Sequence, residues 1–153
     1  VKSLSGIRSH VVGHEVFSKW DLGAISNLPV MFQERVAGED LRVQTVGNFT
    51  EGFFLHNKDK SRVDFRYGDS QPVFKVFEQL PEALVVASYE FSISEENVLF
   101  GLYYLQDKNS NYYFLEANPC PGWTYYYRNT KDREVRDFGQ KILKHLHKGL
   151  KYA

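Results

Sequence analysis

The stretch FLEANPCPGW, Phe114 to Trp123, ends an apolar, strand-like run in a carboxylate and an amide, and then breaks the backbone with Asn-Pro and Pro-Gly. In a strand, residues two apart share a face. The alternation therefore predicts Phe114, Glu116 and Asn118 on one side, with Leu115 and Ala117 on the other. A carboxylate and an amide carbonyl about 6–7 Å apart along a strand are hard oxygen ligands of the kind magnesium takes, usually with substrate phosphates completing the shell. The same spacing also describes an ordinary polar strand end before a turn, so the pair gains meaning from what accompanies it.

Three other stretches accompany it. VKSLSG, Val1 to Gly6, is a lysine on a strand followed by a small-residue loop. FQERVAGEDLRV, Phe32 to Val43, carries a strand through QERV into a turn, and Glu-Asp-x-Arg then opens the next strand. VDFRYG, Val63 to Gly68, sets Arg66 on a strand of its own. A lysine, an acidic hinge, two arginines and a Glu-x-Asn pair supply cations for phosphates and acceptors for ribose and a metal. Each also has a plain structural account: Lys2 as a solvated strand residue, Arg42 and Arg66 as surface ion-pair partners. His10, His14 and His56 lack the spacing of a metal-ligand set, and His145 and His147, on the terminal helix, read as solvated. Cys120 follows Pro119 in a tight turn with no base in view, which makes it structural.

The elements that must position these residues are short and mostly extended. LRVQTVG alternates, with Leu41, Val43, Thr45 and Gly47 on one face and Arg42, Gln44 and Val46 on the other. GNFTEG breaks it and GFFLHN resumes, which predicts two antiparallel strands around a short turn. GDSQP reads as a loop. PEALVVASYEF has proline and early acids suited to a helix start, with Leu84, Val85 and Tyr89 as its apolar positions. ENVLFGLYYLQ and YYFLEAN read as a hairpin around the polar turn DKNSN. Val135, Phe138, Ile142, Leu146 and Leu150 step by three and four, one face of an amphipathic helix that Asn129 or Thr130 would cap. The fold class is α+β, with a mostly antiparallel sheet flanked by helices.

With 153 residues, the chain is long enough for one domain or two small lobes with a core. Nineteen basic residues balance nineteen acidic ones, which argues against a dedicated nucleic-acid partner. No apolar run approaches the roughly 20 residues of a membrane helix. One cysteine excludes a disulfide framework, in keeping with a cytoplasmic setting. The opening VKSLSGIRSH has no initiator methionine and starts as if inside a strand, which predicts a piece of a longer protein.

In this order the four stretches resemble the ATP-grasp superfamily, of the glutathione-synthetase and RimK type, including relatives that modify ribosomally made peptides. The resemblance runs from Val1 to Ala153 and implies the C-terminal part of a larger enzyme. Residues 1–28 would be the tail of the first nucleotide-binding lobe, and residues 29–153 a second lobe with the hinge strand, the metal hairpin and the C-terminal helix. It implies that Lys2 contacts nucleotide phosphate. Gln33, Glu34, Arg35 and Val36 would line the adenine slot, with Glu34 on the amino group, and Asp40 would hold ribose. Arg42 and Arg66 would face the γ-phosphate and the acyl-phosphate intermediate, and Glu116 and Asn118 would bind Mg2+. The cofactors implied are ATP and Mg2+. The partners are a carboxylate substrate, such as a peptide or amino acid, and an amine or alcohol nucleophile. A homo-oligomer is compatible with this reading.

One position departs from the family. Its usual aspartate on the first strand of the last hairpin, opposite the glutamate, falls here on Tyr103 or Tyr104, and a phenol is a poor magnesium ligand at neutral pH. Asp107 lies too far along, in the turn. The two tyrosines are predicted to alternate faces, so that one of them points at the site. The departure leaves a rival to the ligase: a degenerate nucleotide- or peptide-binding module that keeps the fold without the reaction. A third reading is a structural α+β domain with no ligand.

Overall fold

The computed structural model describes residues 2–3, 19, 23, 30–56, 73–76, 79–94, 99–121 and 133–149. The chain divides into two compact units, one of Val1–Arg35 and Asn57–Pro72, the other of Val36–His56 and Val73–Ala153. The first holds a two-stranded antiparallel sheet, β1 (Lys2–Ser3) with β2 (Val30–Met31), in which Lys2 pairs with Met31. The strands expected over Val1 to Arg8 and LPVMFQERV are therefore short where they are described. The strand expected at VDFRYG, with Arg66, lies outside the described residues, as do the first two histidines, the capping residues Asn129 and Thr130, and Leu150.

The second unit is built on a five-stranded antiparallel sheet in the order β5-β4-β3-β6-β7. Its strands are β3 (Glu39–Val46), β4 (Phe49–His56), β5 (Val73–Val76), β6 (Leu99–Gln106) and β7 (Tyr112–Asn118). Helix α1 spans Glu82–Ser94 and α2 spans Arg133–Gly149. The expected α+β class and both hairpins are present. β5 was not anticipated, because four residues after a Gln-Pro loop carry too little pattern to separate a strand from its surroundings.

β3 is the middle strand. Asp40 to Val46 pair with Leu55 to Phe49 on one side, and Glu39 to Val46 pair with Gln106 to Leu99 on the other. The β3–β4 turn has two residues, and Gly47 meets its demand for a left-handed backbone with φ of 57°. The expected alternation holds, but Gln44 and Val46 on the second face are buried as deeply as Leu41, Val43 and Thr45 on the first. A central strand between two layers is covered on both sides, so its alternation marks faces rather than exposure.

On the first face, Leu41, Val43, Phe100, Leu102 and Tyr104 pack with Leu84 of α1, joined by Phe54, Leu80, Phe91 and Ala117. Full burial of such side chains contributes about 1.5–3 kcal/mol each. The Pro81 carbonyl accepts from Leu84 N and Val85 N at 2.9 and 3.2 Å and starts α1. Near its other end, Ser92 and Ser94 hydroxyls donate to the carbonyls of Tyr89 and Phe91. The helix seats Leu84, Ser88 and Ser92 on the sheet and leaves Val86, Tyr89 and Ile93 outward. Tyr89, expected in the apolar stripe, is thus exposed: the apolar residues are spread round the helix rather than gathered in one stripe, and the small Ser88 and Ser92 take the face of closest approach.

α2 lies over the second face, where Ile142 is fully buried and Lys141 Nζ stands 2.7 Å from Glu51 Oε1. The side chains of Val135 and Phe138 lie outside the described residues; Leu146 is half-buried. His145 corrects the solvated reading: it is half-buried and stacks on Phe49, centroids 4.2 Å apart at 10°. It lies three residues past Ile142, on the flank of the buried stripe, where an imidazole packs as a flat ring.

The β6–β7 turn is ordered by one carboxylate. Asp107 Oδ1 accepts from Asn109 N at 2.8 Å and Asn111 N at 2.9 Å, and Oδ2 accepts from Asn111 Nδ2 at 3.0 Å. Ser110 takes φ of 63° inside this loop. The Asn111 amide, first among these donors, holds the Asp107 carboxyl below its ordinary 3.8. A lowered folded-state pKa means the contribution is complete above 3.8 and is lost as pH falls through the lowered value. Protection of the Asn109 and Asn111 amides, their exchange measured relative to the intrinsic rate at each pH, should therefore hold through neutral pH and fall only at pH below 3.8. Asp107→Ala should remove that protection at every pH, with the protection of the distant Leu41–Val46 amides unchanged.

Candidate functional site

The second face of the sheet carries an ordered polar block, and the registers define it row by row. Arg42 pairs with Phe53 and with Tyr103, and Tyr103 pairs with Glu116. One row on, Gln44 pairs with Glu51 and Gly101, and Gly101 with Asn118. One row back, Asp40 pairs with Leu55 and Leu105. Paired residues of an antiparallel ladder share a face, so Asp40, Arg42, Tyr103, Glu116 and Asn118 stand on one side of three strands.

A β-bulge makes this possible. The β6–β7 register shifts between Tyr103 and Tyr104: Tyr103 opposes Glu116, but Tyr104 opposes Phe114, which leaves Leu115 as the extra residue. Strict alternation predicted Phe114 with Glu116 and Asn118. The bulge overturns that for Phe114, which joins Tyr104 on the first face in an edge-on ring contact at 5.7 Å. Glu116 and Asn118 keep their common side. The expected alternation of the two tyrosines is also seen. Tyr104 turns into the core, where burial pushes its phenol above 10.0 against a smaller opposing pull from Ser88. Tyr103 turns to the polar side.

The contacts there form a chain. The Arg42 guanidinium lies 3.8 Å from the centroid of the Tyr103 ring. Its Nη2 stands 3.3 Å from Asp40 Oδ1, with the arginine side chain 11% exposed and the aspartate 25%. Asn118 Nδ2 donates to the Tyr103 hydroxyl at 3.3 Å, and Asn118 Oδ1 accepts from Cys120 N at 2.9 Å. The Asn-Pro-Cys turn is thus tied to the strand by the Asn118 side chain, which fixes where its carbonyl oxygen points. Beside it, Gly101 meets Pro121: a Cβ on the glycine would fall 2.7 Å from the proline Cβ. The glycine lets the post-strand turn fold down onto the sheet next to Asn118.

Of the residues singled out from the sequence, Asp40, Arg42, Glu116 and Asn118 are brought together. Val36, the first residue of the second unit, is half-buried, whereas Gln33, Glu34 and Arg35 are exposed on an irregular segment at the end of the first. Lys2 is placed by its backbone in β1, and its side chain lies outside the described residues. Tyr103 was raised only as a substituted position, and the structure makes it the platform for Arg42; cross-strand register, which one strand cannot reveal, decides that. His56 Nδ1 lies 3.0 Å from Glu39 Oε1 on the neighbouring strand, and Cys120 is exposed. No cluster of three or more His, Cys, Asp or Glu groups that could hold a metal ion occurs among the described residues. No helix of the described residues is long and apolar enough to cross a membrane.

No protein-family model matches the sequence, and no curated protein does. Solved structures do. The ATP-grasp ligase PsnB, complexed with a phosphomimetic variant of its minimal precursor, Mg and ADP, superposes with a TM-score of 0.65 at 15% identity, over 92% of this chain and 44% of that one. The fold is the ATP-grasp fold. A Chryseobacterium gregarium RiPP-associated ATP-grasp ligase, bound to ADP and a leader and core peptide, gives 0.65 at 17% over 92% and 42%. D-alanine–D-alanine ligase from Bacillus anthracis gives 0.54 at 15% over 92% and 49%. The chain spans less than half the length of each of these ATP-grasp structures, and the part it matches is their C-terminal portion.

The Arg42–Tyr103 contact should be measurable as a coupling. In a double-mutant cycle with Arg42→Met and Tyr103→Leu, the stability interaction is expected at about 0.5–2 kcal/mol. Tyr103→Phe, which keeps the ring and removes the hydroxyl that Asn118 contacts, should retain that coupling.

Proposed function

We propose that this chain is the C-terminal part of an ATP-dependent ligase that joins a carboxylate to an amine or an alcohol through an acyl phosphate. The observation that carries the proposal is the placement of Asp40, Arg42, Glu116 and Asn118 on one face of a sheet with the ATP-grasp fold.

In this reading a substrate carboxylate oxygen attacks the γ-phosphorus of ATP, the bond from that phosphorus to the β–γ bridging oxygen breaks, and ADP leaves. The nucleophile's nitrogen or oxygen then attacks the acyl carbon, the bond to the phosphate oxygen breaks, and inorganic phosphate departs with the electron pair. The nucleophile's proton passes to a base or to solvent. The first step brings two anions together, so positioning and charge neutralisation dominate. Arg42 answers that need with a guanidinium already oriented by the Tyr103 ring and Asp40, so little freedom is lost on binding. Asp40 is assigned to ribose, Arg66 to the transferred phosphoryl, Lys2 to nucleotide phosphate, and Gln33, Glu34, Arg35 and Val36 to adenine. Residues 1–28 are assigned to the first nucleotide lobe and 29–153 to the second.

The donor set suits magnesium in its one-ion form. Glu116 offers a half-buried carboxylate, and Asn118 Oδ1, which already accepts from Cys120 N, has a second lone pair. One carboxylate and one carbonyl, completed by nucleotide phosphates and water, is an ordinary magnesium shell. Tyr103, one of the two tyrosines offered for the family's aspartate, pairs with Glu116 and adds no second carboxylate. Bound there, magnesium would neutralise phosphate charge. The ligands of the similar ligases, ADP with Mg, and precursor, leader and core peptides, together with the D-alanine–D-alanine ligase, support a reading of nucleotide and magnesium binding and of a peptide or amino-acid substrate. An intracellular location, where ATP is plentiful, is part of the same proposal.

Calorimetric titration of Mg-ATP into the full-length protein tests it. Binding that EDTA removes is expected, and Glu116→Ala with Asn118→Ala should weaken it at least about tenfold while leaving the fold intact. Arg42→Ala should lower kcat/KM by about 10²–10³. Mg-ATP binding by the double variant equal to that of the parent would overturn the metal assignment. Nucleotide binding indifferent to EDTA would mark a binding module without ligase chemistry.

A further inference from the structure

The strongest unexplained chemistry lies one row inward from Arg42. Gln44 is fully buried in the middle strand, and neither its amide nitrogen nor its amide oxygen has a hydrogen-bond partner among the described residues. Its register neighbour Glu51 has one oxygen on Lys141 at 2.7 Å, while the other, Oε2, is buried with no hydrogen-bond partner among the described residues. On Gln44's other side is Gly101, capped by Pro121. The Lys141–Glu51 pair and the Phe49–His145 stack show that α2 covers this part of the sheet. Three hydrogen-bonding atoms of two directly opposed residues are thus removed from solvent without being used.

Either orientation of the amide presents the same inventory, one NH2 donor group and one carbonyl acceptor. Leaving such groups unmet costs about 1–3 kcal/mol each, so a ligand that meets them is strongly favoured. The inventory says what kind. Gln44 Nε2 needs an acceptor, whereas Gln44 Oε1 and Glu51 Oε2 need donors. An ammonium group accepts nothing and would sit beside the Lys141 charge. An anion would face Glu51. A neutral group that accepts once and donates twice fits, and the smallest is water.

We propose that Gln44 and Glu51 hold a buried water molecule. It accepts from Gln44 Nε2 and donates to Gln44 Oε1 and Glu51 Oε2. The water completes a polar connection from α2 through Lys141 and Glu51 to the strand and face that carry Arg42, two residues away from Gln44. Buried waters of this kind make about three bonds to otherwise unsatisfied groups and are part of the structure. The proposal stands apart from the ligase reading and holds whether or not ATP binds.

Two measurements test it. In the parent protein, nuclear Overhauser spectroscopy should give a cross-peak between a long-lived water and the Gln44 side-chain amide protons. Gln44→Met, which keeps length and removes both polar atoms, decides by sign. If the water is held, the variant strands Glu51 Oε2 and Tm falls, by roughly 3–6 °C. If the site is dry, removing two unmet polar atoms raises Tm or leaves it unchanged. The cross-peak with a lower Tm supports the proposal; no cross-peak, or an unchanged or higher Tm, overturns it. Should the variant fail to fold, the cross-peak in the parent decides alone.

Discussion

The double pairing of β3 is the constraint on which the second unit depends. Glu39 to Val46 is bonded along nearly its whole length to β4 on one side and β6 on the other, and layers cover both of its faces. A strand so placed cannot slip by one residue without sending Leu41 and Val43 out of the core and Arg42 into it. The hydrophobic face therefore locks the chemical face. Leu41 and Val43 are anchored by α1, Phe100 and Leu102, and Asp40, Arg42 and Gln44 are held in place as their alternates.

The bulge at Leu115 is the second device. Without it, Phe114 would share the polar face with Glu116 and Asn118. With it, Phe114 packs edge-on to Tyr104, while Glu116 and Asn118 remain opposite Tyr103 and Gly101. One extra residue lets β7 serve two faces: its first half supports the core side, and its second half presents oxygen donors on the other. Phe114 stays half exposed, at 52%, because β7 is the edge of the sheet and nothing among the described residues lies beyond it.

Much of this was legible from the chain alone, for identifiable reasons. The β3–β4 and β6–β7 hairpins carry local turn chemistry, Gly47 in one and Asp107 with Asn109 and Asn111 in the other, and local chemistry is what a sequence states most directly. The shared side of Glu116 and Asn118 follows from a two-residue period that the bulge, falling before them, does not disturb. What was not legible is relational. Strand partners decide that Tyr103 rather than Tyr104 meets Glu116, and that Arg42 rests on that ring. Nor could period choose the seat of α1, since a helix whose apolar residues are spread round its circumference has no preferred face until the sheet supplies one. β5 and the packing of His145 likewise depend on partners far along the chain.

The polar face shows how a sheet carries charge next to a core. Arg42 is nearly buried, and an unsupported guanidinium there would be costly. Support comes from three directions: the π-face of Tyr103, the Asp40 carboxylate, and the hydrophobic ladder beneath, which keeps the strand from yielding. A tyrosine serves this purpose better than an acid would. A carboxylate opposite Glu116 would set two like charges face to face in the cross-strand pair, tolerable only with a cation between them. A phenol ring adds no charge, receives the guanidinium on its face, and still offers a hydroxyl to Asn118. The row Phe53–Arg42–Tyr103–Glu116 therefore holds one positive and one negative group with an aromatic spacer between them. The ring stands between the guanidinium and the carboxylate along the row while register keeps both on one face.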